Sequence, residues 1–459
     1  MNNDEKDVVI VGGGAAGLAL ACAHDLLTKG PLSYTPKLAL VEKFKLPKVR
    51  DPSAEPLPFS NRVVSLTPSS KQFLESIDVW EKIDLSRVRP YKNIKVWDAI
   101  GKGELEFETD QDSTMAYMIE LNNLTSALMS KINEAIESGI NIELLEGCNL
   151  DEIQKADLNE NLDWPKLSLQ NGTRNIRSRL LVGADGANSK VRLFADIESF
   201  GWDYSQRGVV ATVVFDPPLK EEDPFVGYQR FLPTGPIALL PLDKQHSNLV
   251  WSMTPKMAEN IKLLSSNMVS KLIKAAFSAE EGDLQYIINQ LENGTIEVCD
   301  LELDWRPKFT SPASSNSFPS ISNIVDNTVA SFPLKLRHVS RYVIPRITLI
   351  GDAAHSMHPL AGQGLNLGLG DVESLTKQLT RGWRGGVDLG DANLLQGYPS
   401  ERYFHNSAML GATDKLYRLF RATDPVTTTI RSFGFNLINY GLPNFVKQAI
   451  VKAASGTGV

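Results

Sequence analysis

With 459 residues, 42% of them hydrophobic, the chain can bury one large core or two to three smaller ones. A formal charge of −7 leaves no basic footprint of the kind that phosphate backbones require, which excludes nucleic acid as the main partner. No apolar run reaches the roughly 18 residues of a membrane span. Three separated cysteines without CxxC and six histidines without HExxH spacing indicate neither a disulfide framework nor a metal centre, and a reducing compartment is the simpler reading.

The opening MNNDEKD has the composition of neither a secretory signal nor a basic transit peptide, and a removed leader stays open. Val8 to Val11 reads as a buried strand that runs into Gly12, Gly13, Gly14, Ala15, Ala16 and Gly17, with a helix from Leu18 to Leu27. This is GxGxxG in strand–turn–helix context. Gly12 permits the turn, Gly14 lets a pyrophosphate approach the backbone, and Gly17 lets helix and strand pack closely. The second strand, Lys37 to Val41, ends in Glu42, placed for ribose hydroxyls 25 residues past Gly17, where the pattern expects about 20. The polar GPLSYTP segment accounts for the excess. Together these features predict a dinucleotide site, either NAD or FAD.

A Pro-rich loop, Asp51 to Phe59, precedes NRVVS. Arg62 in that run is either a cofactor contact or a surface charge. Leu121 to Ile136 carries a helical apolar stripe suited to covering a sheet. Leu180 to Val182 forms a third buried strand ending in GADGANSKVR, with Asp185 at its carboxyl end.

From Val209 to Phe215 and from Gln229 to Trp251 the texture becomes β-rich and Pro-punctuated, predicting a second sheet. Arg230, Phe231, Leu232 and Ile237 to Leu240 either line an apolar pocket or form plain sheet core. Glu259 to Gln290 is helical in pattern. Ser311 to Ser322 reads as an irregular loop, and Ala330 to Leu336 as a strand.

Ile347 to Ile350 is then a short buried strand that stops at Gly351 and Asp352. Open α/β sheets place ligand groups at such strand ends. After Pro359 come Gly362, Gln363, Gly364 and Asn366, where missing side chains let backbone N–H groups approach a ligand at a helix start. A single strand–acid turn fits any α/β domain. Three in one chain point to a cofactor. The tail from Lys415 holds six basic residues and one acidic residue. Its apolar positions 430, 433, 437, 438 and 442 share one helical face, and Phe445, Val446, Ala449 and Ile450 share another. Such an end docks on a membrane or a partner, or packs back on its own domain.

Three motifs in this order, GGGAAG (12–17), GADGANSKVR (183–192) and GDAAHSMHPLAGQGLN (351–366), resemble those of the class A flavoprotein aromatic hydroxylases. NRVVSLTPSS, QRFLPTGPIALLP, FPLKL and HPLAGQGLNLG further resemble the ubiquinone-biosynthesis monooxygenases, most closely the eukaryotic mitochondrial enzymes acting at ring C5. The likeness covers nearly the entire chain. It implies an α/β fold, with a Rossmann-like FAD-binding domain like that of p-hydroxybenzoate hydroxylase (1–90, 116–205, 337–400). A β-sheet substrate domain (91–115, 206–336) and a C-terminal helical region (401–459) complete it.

Carried onto this sequence, the resemblance makes Gly12, Gly14 and Gly17 the FAD pyrophosphate site and Glu42 the adenosine ribose ligand. Arg62 becomes a cofactor contact, Asp185 an acid near the pyrophosphate, and Asp352 the ligand of the ribityl or pyrophosphate region. Gly362, Gln363, Gly364 and Asn366 wrap the isoalloxazine. The implied chemistry is ring hydroxylation of a polyprenylated phenol by O2 through a flavin C4a-hydroperoxide, with no metal. His358 is the candidate for phenol deprotonation, and Arg230 for lowering the phenol pKa. Electrons come from a ferredoxin system or NADPH. The implied setting is the matrix face of the mitochondrial inner membrane, peripherally attached, beside other ubiquinone-biosynthesis proteins. The alternatives are a flavin hydroxylase of another aromatic and a low-turnover FAD-binding scaffold subunit.

Overall fold

The computed structural model describes residues 4–24, 35–51, 58–101, 103–109, 113–154, 163–170, 172–309, 318–359 and 362–437. The proposed helix end at Leu27, most of the Pro-rich loop, and the tail positions from 438 onward lie outside them.

Two sheets organise the chain. In the first, the strands Asp4–Val11, Leu38–Val41, Arg174–Gly183 and Ile347–Leu349 run parallel. Their buried stretches, Val8–Val11, Leu38–Val41, Leu180–Val182 and Ile347–Leu349, are almost wholly Val, Ile and Leu, as parallel strands covered on both faces require. The helix Ala15–Ala23, AAGLALACA, is apolar all round because it is enclosed: its residues from Gly17 onward are buried. The helix Leu121–Glu137 covers the same sheet through Leu124, Leu128 and Ile132, all fully buried, as its stripe predicts. Close by, Gly351 and Gly368 face each other: a Cβ on Gly368 would lie 3.3 Å from the Gly351 Cα, so the helix Gly364–Arg384 approaches the Gly351 turn at backbone distance.

The second sheet is mostly antiparallel and is built around the 17-residue strand Ser199–Phe215 and its neighbours Ala330–Val339 and His246–Met253. Helices from Pro255 to Phe309 cover one face of it. Trp97, Val209, Ala211, Ile237, Leu249 and Trp251 meet Ile273, Phe277 and Leu291 there. On the other face Tyr204, Leu334 and Leu336 pack with Leu367, Leu410 and Tyr417, and Phe231 packs with Phe420 and Phe435.

One correction concerns the stretch read as loop to Ser322. Ile321–Ile324 is a short strand on the Ser199–Phe215 edge, with Val213 opposite Ile324. Its two isoleucines are buried while the serine and asparagine between them face out, so a sheet edge outweighs a turn-like composition. Residues 310–317 lie outside the described residues.

Candidate functional site

The cofactor candidates meet along one edge. Val11 is in register with both Val41 and Gly183, and Gly183 with Leu349. Parallel strands in register end together, so Gly12, Glu42, Ala184–Asp185 and Gly351–Asp352 all leave the sheet at its carboxyl edge. Cross-bonds continue past the strand ends: Gly12 N–H to the Val41 carbonyl (2.9 Å), Ala184 N–H to Val11 (2.8 Å) and Ile350 N–H to Gly183 (3.0 Å).

At the glycine turn, Gly12 has φ +116°, and a Cβ there would lie 2.3 Å from the Ala184 carbonyl oxygen. Only glycine fits. Gly17 is equally confined, 2.0 Å from the Gly12 oxygen, whereas a Cβ on Gly14 would meet nothing within 4 Å. Gly14 also caps the Ala15–Ala23 helix without a side-chain hydrogen bond. Open space beside a helix start whose N–H groups lack a side-chain cap is what a pyrophosphate needs. The Glu42 carboxylate accepts Gly13 N–H (2.6 Å) and Phe44 N–H (2.9 Å), which fixes it at the mouth of this turn.

Asp185 accepts Lys190 N–H (2.6 Å) through one oxygen; its other oxygen is buried without a hydrogen-bond partner. Burial pushes its pKa above the ordinary value, against the hydrogen bonds it accepts. Asp352 is exposed at the strand end, and desolvation raises its pKa, with His355 pulling the other way. An orphaned oxygen, an exposed strand-end acid and an open glycine cradle along one sheet edge fit a dinucleotide whose hydroxyl and phosphate groups would complete them.

Gly362 closes a turn by donating its N–H to the Pro359 carbonyl (2.9 Å), with φ +59°. Residues 360 and 361 lie outside the described residues. Gln363 is the N-cap residue of the 21-residue helix Gly364–Arg384, and its side-chain oxygen accepts from the Asn366 amide (3.1 Å) rather than from a backbone N–H of the first turn. The side chain of Asn366 is committed within the chain. Its oxygen accepts Thr67 N–H (3.0 Å) and the Ser70 hydroxyl (2.8 Å), and its amide donates to the Ser65 carbonyl (2.8 Å). It ties this helix to the Val63–Leu66 strand and the Pro68–Ser76 helix. Arg62 is exposed at the start of that strand, beside Leu121, whose N–H bonds its carbonyl (2.8 Å).

The two catalytic candidates stand apart. Arg230 is 1% exposed, and its guanidinium donates to the Ala276 and Ala279 carbonyls (3.0 and 2.9 Å) at the end of the Ser266–Ser278 helix. Side chains alternate along a strand, so Arg230 points to the helix-covered face while Phe231 points to the other. Its hydrogen bonds cap that helix, away from the face that carries Phe231. Burial lowers its pKa to about 10. His358 is fully buried between Tyr204 (5.1 Å between ring centroids) and Tyr417 (4.8 Å). Burial lowers its pKa to about 4, with Asp414 opposing, so it is neutral and weakly basic at pH 7.

Two functional connections escape sequence reasoning. Arg192, 4% exposed, donates to the Ala353 carbonyl (2.9 Å) and the Ala187 carbonyl (2.8 Å), joining the second motif to the third. Asp371 is fully buried one turn past Leu367 on an otherwise apolar stripe. It accepts four donors: Gly351 N–H (3.1 Å), His355 Nε2 (2.6 Å), Asn406 Nδ2 (2.9 Å) and Arg402 Nε (3.3 Å). Burial alone would raise its pKa, but His355, Arg402 and Asn406 hold it below the ordinary value. A charge within the series Leu367, Asp371, Leu375, Leu379 was the legible sign of a buried partner.

The fold and this edge define an FAD-binding monooxygenase of the aromatic-hydroxylase kind. The FAD binding domain family matches residues 5–290 and 303–413. The solved p-nitrophenol 4-monooxygenase PnpA from Pseudomonas putida DLL-E4 has the same fold, with TM-score 0.67 at 17% identity over the whole of both chains. The ubiquinone biosynthesis monooxygenase COQ6, mitochondrial, of Saccharomyces cerevisiae is 37% identical over 98% of this chain and 94% of its own. That of Schizosaccharomyces pombe is 36% identical over 97% and 91%. The chain belongs to the COQ6 family of ubiquinone biosynthesis monooxygenases.

Proposed function

We propose that the protein hydroxylates the ring, at C5, of a polyprenylated phenol or hydroxybenzoate intermediate of ubiquinone biosynthesis. The observation that carries this reading is the shared carboxyl edge, where Gly14, Glu42, Asp185 and Asp352 converge beside the start of the Gly364–Arg384 helix. FAD, when bound and reduced, supplies the activation of O2 from which one oxygen enters the ring and the other leaves as water.

Gly12, Gly14 and Gly17 bind the pyrophosphate against the Ala15–Ala23 helix start, and Glu42 takes the adenosine ribose. Asp352 accepts from the ribityl or pyrophosphate region, Asp185 supports the pyrophosphate end, and Arg62 contacts the cofactor. The backbone of Gly362 to Asn366 faces the flavin ring, where the helix dipole favours negative charge. The face carrying Tyr204, Leu334 and Leu336 excludes water from the reacting ring. Neither Arg230 nor His358 is given a proton, because one caps a helix and the other is too weakly basic.

Residues 1–90, 116–205 and 337–400 form the FAD-binding unit, 91–115 and 206–336 the substrate unit, and 401–459 the helical end. Electrons come from a ferredoxin system or NADPH, which rapid-mixing reduction with each donor distinguishes. The relatives' names support a mitochondrial setting, and within it we place the protein on the matrix face of the inner membrane, among other ubiquinone-biosynthesis proteins.

The test is turnover of a short-chain prenylated phenol under labelled O2. One labelled oxygen at C5 is the expected product. Flavin oxidation with release of peroxide only, for every prenylated phenol offered, would overturn the proposal.

A further inference from the structure

The second sheet keeps an open hollow on the face away from its helices. Val210 stands opposite Val250, and Val250 opposite Ala238, in one row across three neighbouring inner strands. On the helix-covered face the alternating residues Val209, Ala211, Leu249 and Trp251 are fully buried. Val210, Val250 and Ala238 point the other way and are only half-buried. A residue in the middle of a sheet keeps contact with solvent where nothing covers it, so these three form an apolar floor.

One end of this floor is polar. Gln206, two residues from Gly208, is 4% exposed, and a Cβ on Gly208 would meet Phe332 and Leu334 of the open face. The Gln206 Nε2 donates to the Thr234 carbonyl (2.7 Å). A carbonyl only accepts, so the NH2 half of the amide is spent there and Oε1 is turned elsewhere. That oxygen is buried without a hydrogen-bond partner, and so is the Thr234 hydroxyl. Thr234 is held in place by its neighbour: Gly235 has φ +138°, a Cβ on it would lie 2.3 Å from the Ser252 oxygen, and its N–H bonds the Leu232 carbonyl (3.0 Å). Buried polar atoms are paired in native proteins, and two orphans on residues in contact share one missing partner.

The neighbours place that partner. Tyr204, two residues before Gln206, packs edge-on against His358 (5.1 Å), which precedes the Pro359–Gly362 turn assigned to the flavin ring. The two orphans are neutral groups, suited to a hydroxyl. Cations around them are spent elsewhere: Arg207 on the Ser331 hydroxyl (2.9 Å), Arg230 on the helix-covered face, and Arg431, beneath Phe420, on Asp98 (2.7 Å).

We propose that Gln206 and Thr234 hold the ring hydroxyl of the substrate. The Gln206 Oε1 accepts the phenol O–H and the Thr234 hydroxyl donates to the same oxygen, which sets the ring carbon that is turned to the flavin while the rest of the ring lies on Val210, Val250 and Ala238. The proposal rests on the function given above but is measured by binding to the oxidised protein, without turnover.

The FAD-loaded full chain is titrated with a short-chain prenylated phenol and with its O-methyl ether, followed by the change in flavin absorbance. The ether cannot donate, so the parent should bind the phenol about tenfold more tightly. Gln206→Met should lose that preference and bind the ether as the parent does. Thr234→Val, which keeps the carbonyl that holds Gln206, should weaken phenol and ether alike by about tenfold, and Thr234→Ser should restore both; this pair also carries the test should Gln206→Met lose flavin. Thr376→Val removes another buried hydroxyl without a partner, some 18 Å along the Gly364–Arg384 helix from its start, and should bind as the parent does. The proposal is overturned by a parent that binds phenol and ether equally, by affinities that neither Gln206→Met nor Thr234→Val moves, or by an equal loss in Thr376→Val. A parent that prefers the phenol but never hydroxylates it overturns the function and leaves the role of this pair in binding standing.

Discussion

Replacing Asp371 with alanine tests whether the buried carboxylate behind the Gly351 turn positions the cofactor acid. The side chain is fully buried and holds Gly351 N–H, His355, Asn406 and Arg402. Breaking a buried charged pair by removing one partner costs about 3–5 kcal/mol, and Arg402 and His355 would be left facing a void. The same change frees Gly351 N–H, one residue before Asp352. Losing one hydrogen bond of about 1.4 kcal/mol from that turn weakens FAD about tenfold. Urea denaturation gives the first quantity and flavin titration of the apoprotein the second. Arg402→Met is the discriminating control, because it opens the same cluster but leaves Gly351 on its acceptor. It should lose stability yet keep FAD affinity. If Asp371→Ala binds FAD as tightly as the parent does, Asp371 is structural only and the positioning argument fails.

Asp352→Asn removes the exposed strand-end carboxyl assigned to the cofactor, so purified protein should carry little flavin while its apo form melts no lower than the parent; a fully yellow variant counts against the assignment. Arg230→Met should lower stability by about 1.5–3 kcal/mol for each charged hydrogen bond lost to Ala276 and Ala279, with KM unchanged in the folded fraction. A selective loss of kcat would restore Arg230 to the chemistry. His338 and His358 both have pKa values lowered by burial from 6.5 to about 4. The unfolded chain therefore binds more protons between those values, and stability falls as pH drops from 6.5 toward 4. His358→Phe should flatten that slope in urea titrations at stepped pH, and an unchanged slope would refute the contribution.

The strand–acid–glycine grammar was legible because its residues obey local rules. Gly12 needs its conformation, the short apolar runs need burial on both faces, and acids at strand ends follow from sheet topology. Glu42, Asp185 and Asp352 could therefore be placed on one edge from the sequence. What sequence could not settle was which way a side chain faces when both directions are chemically sensible. Arg230 sits beside Phe231 in a run that suits a pocket, and only the helix ending at Ser278 decides that the guanidinium turns away. Asn366 lies in a glycine-rich cofactor motif but is used by Thr67 and Ser70, some three hundred residues earlier. Ile321–Ile324 is a strand because a neighbouring edge is vacant for it, a fact absent from its own Ser/Asn composition.

The Asp98–Arg431 pair also sets an order of assembly. Asp98 ends an early strand of the second sheet, and its cation partner stands 333 residues later. During synthesis that carboxylate has no guanidinium until the penultimate stretch of the chain has left the ribosome, so the strand's edge is finished last. A chain lacking Arg431 would leave the buried Asp98 carboxylate with the Ile100 and Gly101 N–H groups but without its cation. Loss of the helix Pro425–Asn436, which carries Arg431, is therefore expected to lower the stability of the second sheet as well as to remove the helix's own contacts.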